Sequence, residues 1–313
     1  MFNEEKWELL FTSLYYCYPV IVAIGTIANF LSFIIFSRKR FRNTIFATYF
    51  RILLIMDTIG LVYLAMGKFL YFKSKIHIRD FNVTLCRLTL LLAYSIPPIS
   101  AYILVAISID RWLTITKPDV LPIKKKSSFQ VCVCIVIVLA NLIYNGQLFF
   151  SYLGVDITDE TRMKFLNRSK PVCLIPYPDT LNMMDLINST IIPFLLMFIF
   201  TSLTIKFVFD SRKKTSESTI SNQMNSNNPG RKRDIKFAIT SITFNIIFLI
   251  LNFPFGLSSL IPNNIMSLYQ TYSLLAFFSL LIYLNHGTVF FINYSINSMF
   301  IEEFDILFNI RSG

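Results

Sequence analysis

The sequence predicts an all-α membrane protein: a bundle of seven transmembrane helices followed by a short amphipathic helix on the membrane surface. Three observations predict it. The chain holds seven apolar runs, each close to the roughly 20 residues that a helix needs to span hydrocarbon. Of its 313 residues 54% are hydrophobic and 15% charged, an apolar excess that a water-soluble core cannot bury. The basic residues, which set a net charge of +11, fall in short clusters between the runs. That distribution is a topology signal and argues against nucleic acid as a partner.

The runs extend from Tyr15 to Phe36, Thr44 to Phe69, Leu88 to Arg111, Phe129 to Phe150, Leu186 to Phe209, Ile235 to Ile261 and Tyr269 to Met299. Inside hydrocarbon every backbone polar group must be satisfied within the protein, and for a single run a helix achieves this. Beyond them, Ser298 to Ile310 places Phe300, Phe304 and Phe308 on one helical face and Glu302, Glu303 and Asp305 elsewhere, the pattern of a surface helix. The order is then residues 1–14 as an external amino terminus, 15–297 as the bundle, and 298–313 as the surface helix with a short cytoplasmic tail. Residues 211–234 are rich in Ser, Asn, Lys and Gly, so a disordered third inner loop is expected there. Glu4, Glu5, Lys6 and Glu8 precede a full-length apolar segment, so the first helix is expected to serve as its own signal anchor.

An odd number of spans puts the two termini on opposite sides. With the amino terminus outside, eighteen lysines and arginines lie within and ten without, and the positive-inside bias favours that orientation. Arg38, Lys39, Arg40 and Arg42 form the first inner cluster, and eight more lie from Lys206 to Lys236, where they would face anionic membrane lipid.

Ionisable groups within a membrane are costly, and Asp57 lies in the middle of the second run. Its burial requires a partner. Neither His77 nor His286 has a metal-ligand neighbour at a recognisable spacing, which argues against an enzyme. Cys17, Cys132 and Cys134 sit inside apolar runs as small hydrophobes, whereas Cys86 and Cys173 do not.

Further landmarks fall in order along the chain. Asn29 closes Gly25-Thr26-Ile27-Ala28-Asn29 in the first run, and Asp57 follows in the second. Cys86 precedes Arg111 by 25 residues, Asp110-Arg111-Trp112 closes the third run, Lys117-Pro118 follows, and Pro193 and Pro254 stand in the fifth and sixth. In this order and spacing the chain resembles the rhodopsin-like (family 1) G-protein-coupled receptors over nearly its whole length. The resemblance implies a plasma-membrane receptor that senses an extracellular ligand and activates a heterotrimeric G protein. It implies that Arg111 bonds Asp110 and, at rest, Asp234 near the inner end of the sixth helix, closing the mouth where a G protein docks. It also implies a disulfide between Cys86 and Cys173 on the oxidising outer face. Asn29, Asp57, Ser100 and Asn285 make up the core polar site, and the last three match positions that ring a sodium ion in the family. Hard oxygen ligands suit that ion, and a hydrogen-bond network without a metal is the alternative. Asn167-Arg168-Ser169 and Asn82-Val83-Thr84 are glycosylation sequons. With a short tail, phosphorylation and an arrestin-like partner are expected at the third inner loop, for example at Thr215 and Ser218.

The departures fall in helices three to seven. The seventh lacks the Asn-Pro-x-x-Tyr motif, with Val289 and Asn293 at its ends, and is expected to lack a proline kink. Asn252 replaces the toggle tryptophan while Phe248 and Pro254 stay in register, and Thr201 replaces an activating tyrosine. Pro97-Pro98 should bend or open the third helix. The seventh helix has no lysine for a retinal Schiff base, and no acid between Leu88 and Ile109 would bind an amine. A long second outer loop from Ser151 to Asp185 and the outer cations Lys68, Lys73, Lys75, Arg79 and Arg87 favour a peptide, one with acidic groups. The chain is similar in this to invertebrate neuropeptide receptors of the FMRFamide-receptor-like kind. The alternatives are a chemosensory receptor for a small neutral or lipid ligand, a decoy receptor, or a seven-helix transporter or channel.

Overall fold

The structure, a computed structural model, describes residues 4–42, 44–74, 83–116, 127–150, 178–218, 229–258 and 268–309, and all regular structure among them is helical. Five of these helices are each long and apolar enough to cross a membrane, the bent seventh does so as a pair, and Ile242–Ser258 is the apolar part of the sixth. The first helix, Glu4–Ser37, begins inside the stretch expected as a free amino terminus. At about 1.5 Å per residue it is roughly 50 Å long, well beyond the hydrocarbon thickness. One face, with Ala28, Asn29, Ser32 and Ile35, is buried, while Ile24, Ile27 and Phe30 on the other are exposed, as suits lipid.

The third helix, Val83–Thr116, is the central post. Ile99, Ile103, Leu104 and Ile107 lie in a core with Phe36, Phe50, Phe244, Phe248 and Phe300, drawn from the first, second, sixth and surface helices. A second cluster, Tyr18, Val22, Leu61, Ala65, Leu280 and Tyr283, joins the first, second and seventh helices nearer the amino-terminal face.

Contrary to the expected opening, the third helix continues through Pro97 and Pro98. Proline removes the N–H that would have bonded the carbonyl four residues back. For Pro98 that carbonyl belongs to Tyr94, and Asn145 Nδ2, beyond the end of the fourth helix Ser127–Tyr144, donates to it across 3.0 Å.

The second helix runs Ile45–Ile59, passes through a π-helical turn at Gly60–Ala65 and resumes at Met66–Ser74. A similar turn, Leu186–Ile191, joins Pro178–Asp185 to Ile192–Ser218 in the fifth helix. Pro193 follows that turn, and the widened turn relieves the clash of its ring with the preceding carbonyls. A Cβ on Gly256 of the sixth helix would come within 2.1 Å of Leu186 Cδ1, so glycine lets the widened turn approach. The fifth helix extends to Ser218 and the sixth, Pro229–Ser258, continues through Pro254. Helix therefore covers both flanks of the loop expected to be disordered.

The seventh helix also differs from expectation. It bends by 50° between Gln270–Asn285 and Thr288–Ile296, although no proline is present. The break falls at His286-Gly287. A Cβ on Gly287 would lie 3.2 Å from the Cα of Gly25, so the first and seventh helices meet backbone to backbone. The His286 carbonyl accepts from Asn29 Nδ2 at 3.0 Å, which satisfies a group at the bend.

The surface helix, Ser298–Leu307, is capped by Asn297, whose Oδ1 accepts from Phe300 N. Two of its three acids do not point into water as the amphipathic pattern implied; Glu302 does. Glu303 and Asp305 are buried, and Arg38 and Arg40 pair with Glu303 and Glu302 at 2.5 and 2.6 Å. The basic cluster after the first helix thus neutralises the acidic face, while Phe300 inserts between Phe36 and Phe290.

Candidate functional site

Two polar constellations stand out in this apolar bundle. The first surrounds Asp57 at the second, third and seventh helices. Its Oδ1 accepts from Ser100 Oγ at 2.8 Å and lies 2.7 Å from His286 Nδ1. Asp57, Ser100 and His286 are all about 97% buried or more. Asn29 reaches the same junction, donating to the His286 carbonyl and, at 3.4 Å, to Thr58 Oγ1. The predicted set of Asn29, Asp57 and Ser100 is thereby brought together. Asn285 is not; it is half-buried, and its backbone carbonyl accepts from Thr288 Oγ1. The bend turns the next residue, His286, onto the carboxylate instead.

His286 was the partner that Asp57 required. The signal was present, because two ionisable groups within apolar runs of one chain are candidates to neutralise each other. Reading His286 only as a metal ligand missed it. The ring packs beside Gly60, where a Cβ would lie in van der Waals contact with His286 Nε2 at 3.4 Å.

The donor set does not suit the sodium ion that the resemblance implied. Against an ionised carboxylate, Nδ1 must present its N–H, and that positive hydrogen occupies the position a cation would take at Oδ1. Ser100 already spends its hydroxyl proton on the same oxygen. Hard oxygen ligands are what such an ion requires, and Asn285 contributes none here.

The second constellation lies near the carboxyl end of the third helix. Asp110 and Arg111 are buried at 4% and 7% exposure, and the Arg111 guanidinium lies over the Phe46 ring of the second helix. Trp112 packs its ring 5.5 Å from Phe200 of the fifth helix. A narrow cleft opens beside Arg111, lined by Phe46, Ser108, Thr240, Asn245, Asn293 and Asn297 among others. Asn245 spans the fifth and sixth helices, donating to Thr201 Oγ1 and to the Met197 carbonyl. Thr201, at the position of the missing tyrosine, therefore still joins these helices. Asn252 Nδ2 turns back on the Phe248 carbonyl of its own helix at 2.8 Å, and Pro193 is buried. The Asp234 side chain, Cys173, Asn82 and Asn167 lie outside the described residues. Cys86 is buried and disulfide-bonded, while Cys17, Cys132 and Cys134 are free.

Lys68 departs from the outer surface expected for it. Its Nζ donates to Ser279 Oγ of the seventh helix at 2.8 Å and lies 5.4 Å from the centre of the Tyr283 ring. A cation inside the bundle mouth is thus held by a hydroxyl and an aromatic face.

A single bundle of apolar helices, with a buried acid at its centre and a buried arginine at one mouth, defines a multi-pass membrane protein. Residues 28–288, well over half the chain, match the model of the family described as 7 transmembrane receptor (rhodopsin family), and the chain belongs to that family. Its members are receptors, so this is a signalling receptor and not an enzyme. Among curated proteins no match was found.

Proposed function

We propose that this receptor sits in the plasma membrane with its amino terminus outside, binds an extracellular peptide bearing an acidic group, and activates a heterotrimeric G protein through the cleft beside Arg111. The observation that carries this reading is the cleft itself, an apolar mouth around one buried guanidinium that the first, second, third, sixth and seventh helices and the cap of the surface helix enclose. A cationic side chain in such a mouth is available to a partner's backbone carbonyls once the helices part. The basic inner clusters favour contact with anionic lipid, where a lipid-anchored G protein resides. Lys68 supports the acidic ligand, because a carboxylate could replace Ser279 as its acceptor. Cys86 pairs with Cys173 in this reading, Asn167 and Asn82 carry glycans, and phosphates on the third inner loop recruit an arrestin-like partner.

The test is a screen of neuropeptide pools on cells expressing the chain with a promiscuous G protein, with Arg111→Ala as control. A ligand-evoked response that the control abolishes supports the proposal. Ion flux without any G protein, or a response indifferent to Arg111→Ala, overturns it.

A further inference from the structure

We infer that His286 takes the place of a metal ion in the core of this receptor, so that the Asp57 site is closed to sodium and the bundle is held at that level by a side chain. Four observations converge on the one residue. Its Nδ1 lies 2.7 Å from Asp57 Oδ1, and both side chains are almost wholly buried. The seventh helix bends by 50° at His286, which carries the ring toward the second helix. Asn29 of the first helix holds the carbonyl of the same residue, so the ring is presented by a backbone fixed from another side. Gly60, at the start of the π-helical turn, packs beside the ring, since a Cβ there would stand in van der Waals contact with Nε2 at 3.4 Å and Cδ2 at 3.5 Å.

The consequence is thermodynamic. A diffusible cation stabilises a receptor only in proportion to its concentration, whereas a covalently attached donor is always at the site. Sodium could take Asp57 Oδ1 only by displacing the His286 ring, whose backbone Asn29 anchors, and the buried imidazole would then lose its acceptor. The Asp57 junction is therefore indifferent to the ionic composition on either side of the membrane.

The test needs no ligand. The full-length receptor is purified in detergent and melted in sodium chloride and in choline chloride at equal ionic strength. The wild type is expected to melt at the same temperature in both. His286→Asn, which replaces the ring with an oxygen-bearing side chain, is expected to melt lower in choline and to gain a sodium-selective rise of at least about 2 °C. Asp57→Asn added to that variant should remove the rise. If His286→Asn does not fold, His286→Ser serves the same arm. A sodium-selective rise in the wild type that Asp57→Asn abolishes overturns the inference, and so does a folded His286 variant as indifferent to sodium as the wild type.

Discussion

Asn145 Nδ2 donates to the Tyr94 carbonyl across 3.0 Å, supplying from beyond the fourth helix the hydrogen bond that Pro98 cannot make within the third. A helix with two adjacent prolines thereby crosses the bundle unbroken. The same device recurs at the seventh-helix bend, where Asn29 takes the His286 carbonyl. In each case an asparagine of one helix satisfies an acceptor at an irregularity in another, which is what an environment without water demands.

Asn145→Ala is expected to destabilise the receptor by about 1–2 kcal/mol, the cost of a buried carbonyl left without a donor. Restoring the N–H with Pro98→Ala should reduce that loss. A double-mutant cycle on melting temperatures reads the coupling, and purely additive effects would show that Asn145 acts elsewhere.

Gly287→Ala is expected to lower stability by about 1–3 kcal/mol, because its Cβ would meet the Gly25 backbone at 3.2 Å and no side chain can move aside. Gly67→Ala is the control, since nothing lies within 4 Å of a Cβ there. Equal melting of the two variants would contradict the close approach of the first and seventh helices.

Arg38→Glu should loosen the surface helix by roughly 1 kcal/mol or more, since Glu303 is buried and would be left facing a like charge. Adding Glu303→Arg should recover surface expression. Failure of the double reversal to improve on either single variant would argue against the pair as the clasp.

Asn245→Ala and Asp234→Ala are both expected to raise basal signalling. The first removes the described tie between the fifth and sixth helices, and the second removes one side of the proposed Arg111 lock. Losing a contact worth about 1–2 kcal/mol shifts a two-state equilibrium roughly 5- to 30-fold. Accumulation of second messenger without ligand is the measurement, and unchanged basal signalling in both would place the restraint elsewhere.

Lys68→Gln should lower the potency of an activating acidic peptide about tenfold or more, equivalent to about 1.4 kcal/mol. The loss should vanish for the same peptide with its acid amidated. Equal losses for both peptides would assign Lys68 a packing role against Tyr283.

The number of spans and the family were legible in the chain before any coordinates, because apolar runs and landmark spacings are local properties that a bilayer reads directly. The junction residues Asn29, Asp57 and Ser100 were legible for the same reason. The partner of Asp57 was not. Whether Asn285 or its neighbour His286 meets the carboxylate depends on rotation about the seventh-helix axis, and that rotation is set by a bend at Gly287, by its contact with Gly25 and by Asn29 on a carbonyl. The absence of proline correctly located a departure from the family but misjudged its effect, since glycine and a foreign donor bend a helix as well. The prolines of the third helix misled in the opposite sense, because Asn145 supplies the donor that Pro98 removes. Likewise Glu302 and Glu303 read as a water-facing stripe until Arg40 and Arg38 were placed across from them. Periodicity states which residues share a face, but only the packed bundle decides what that face meets.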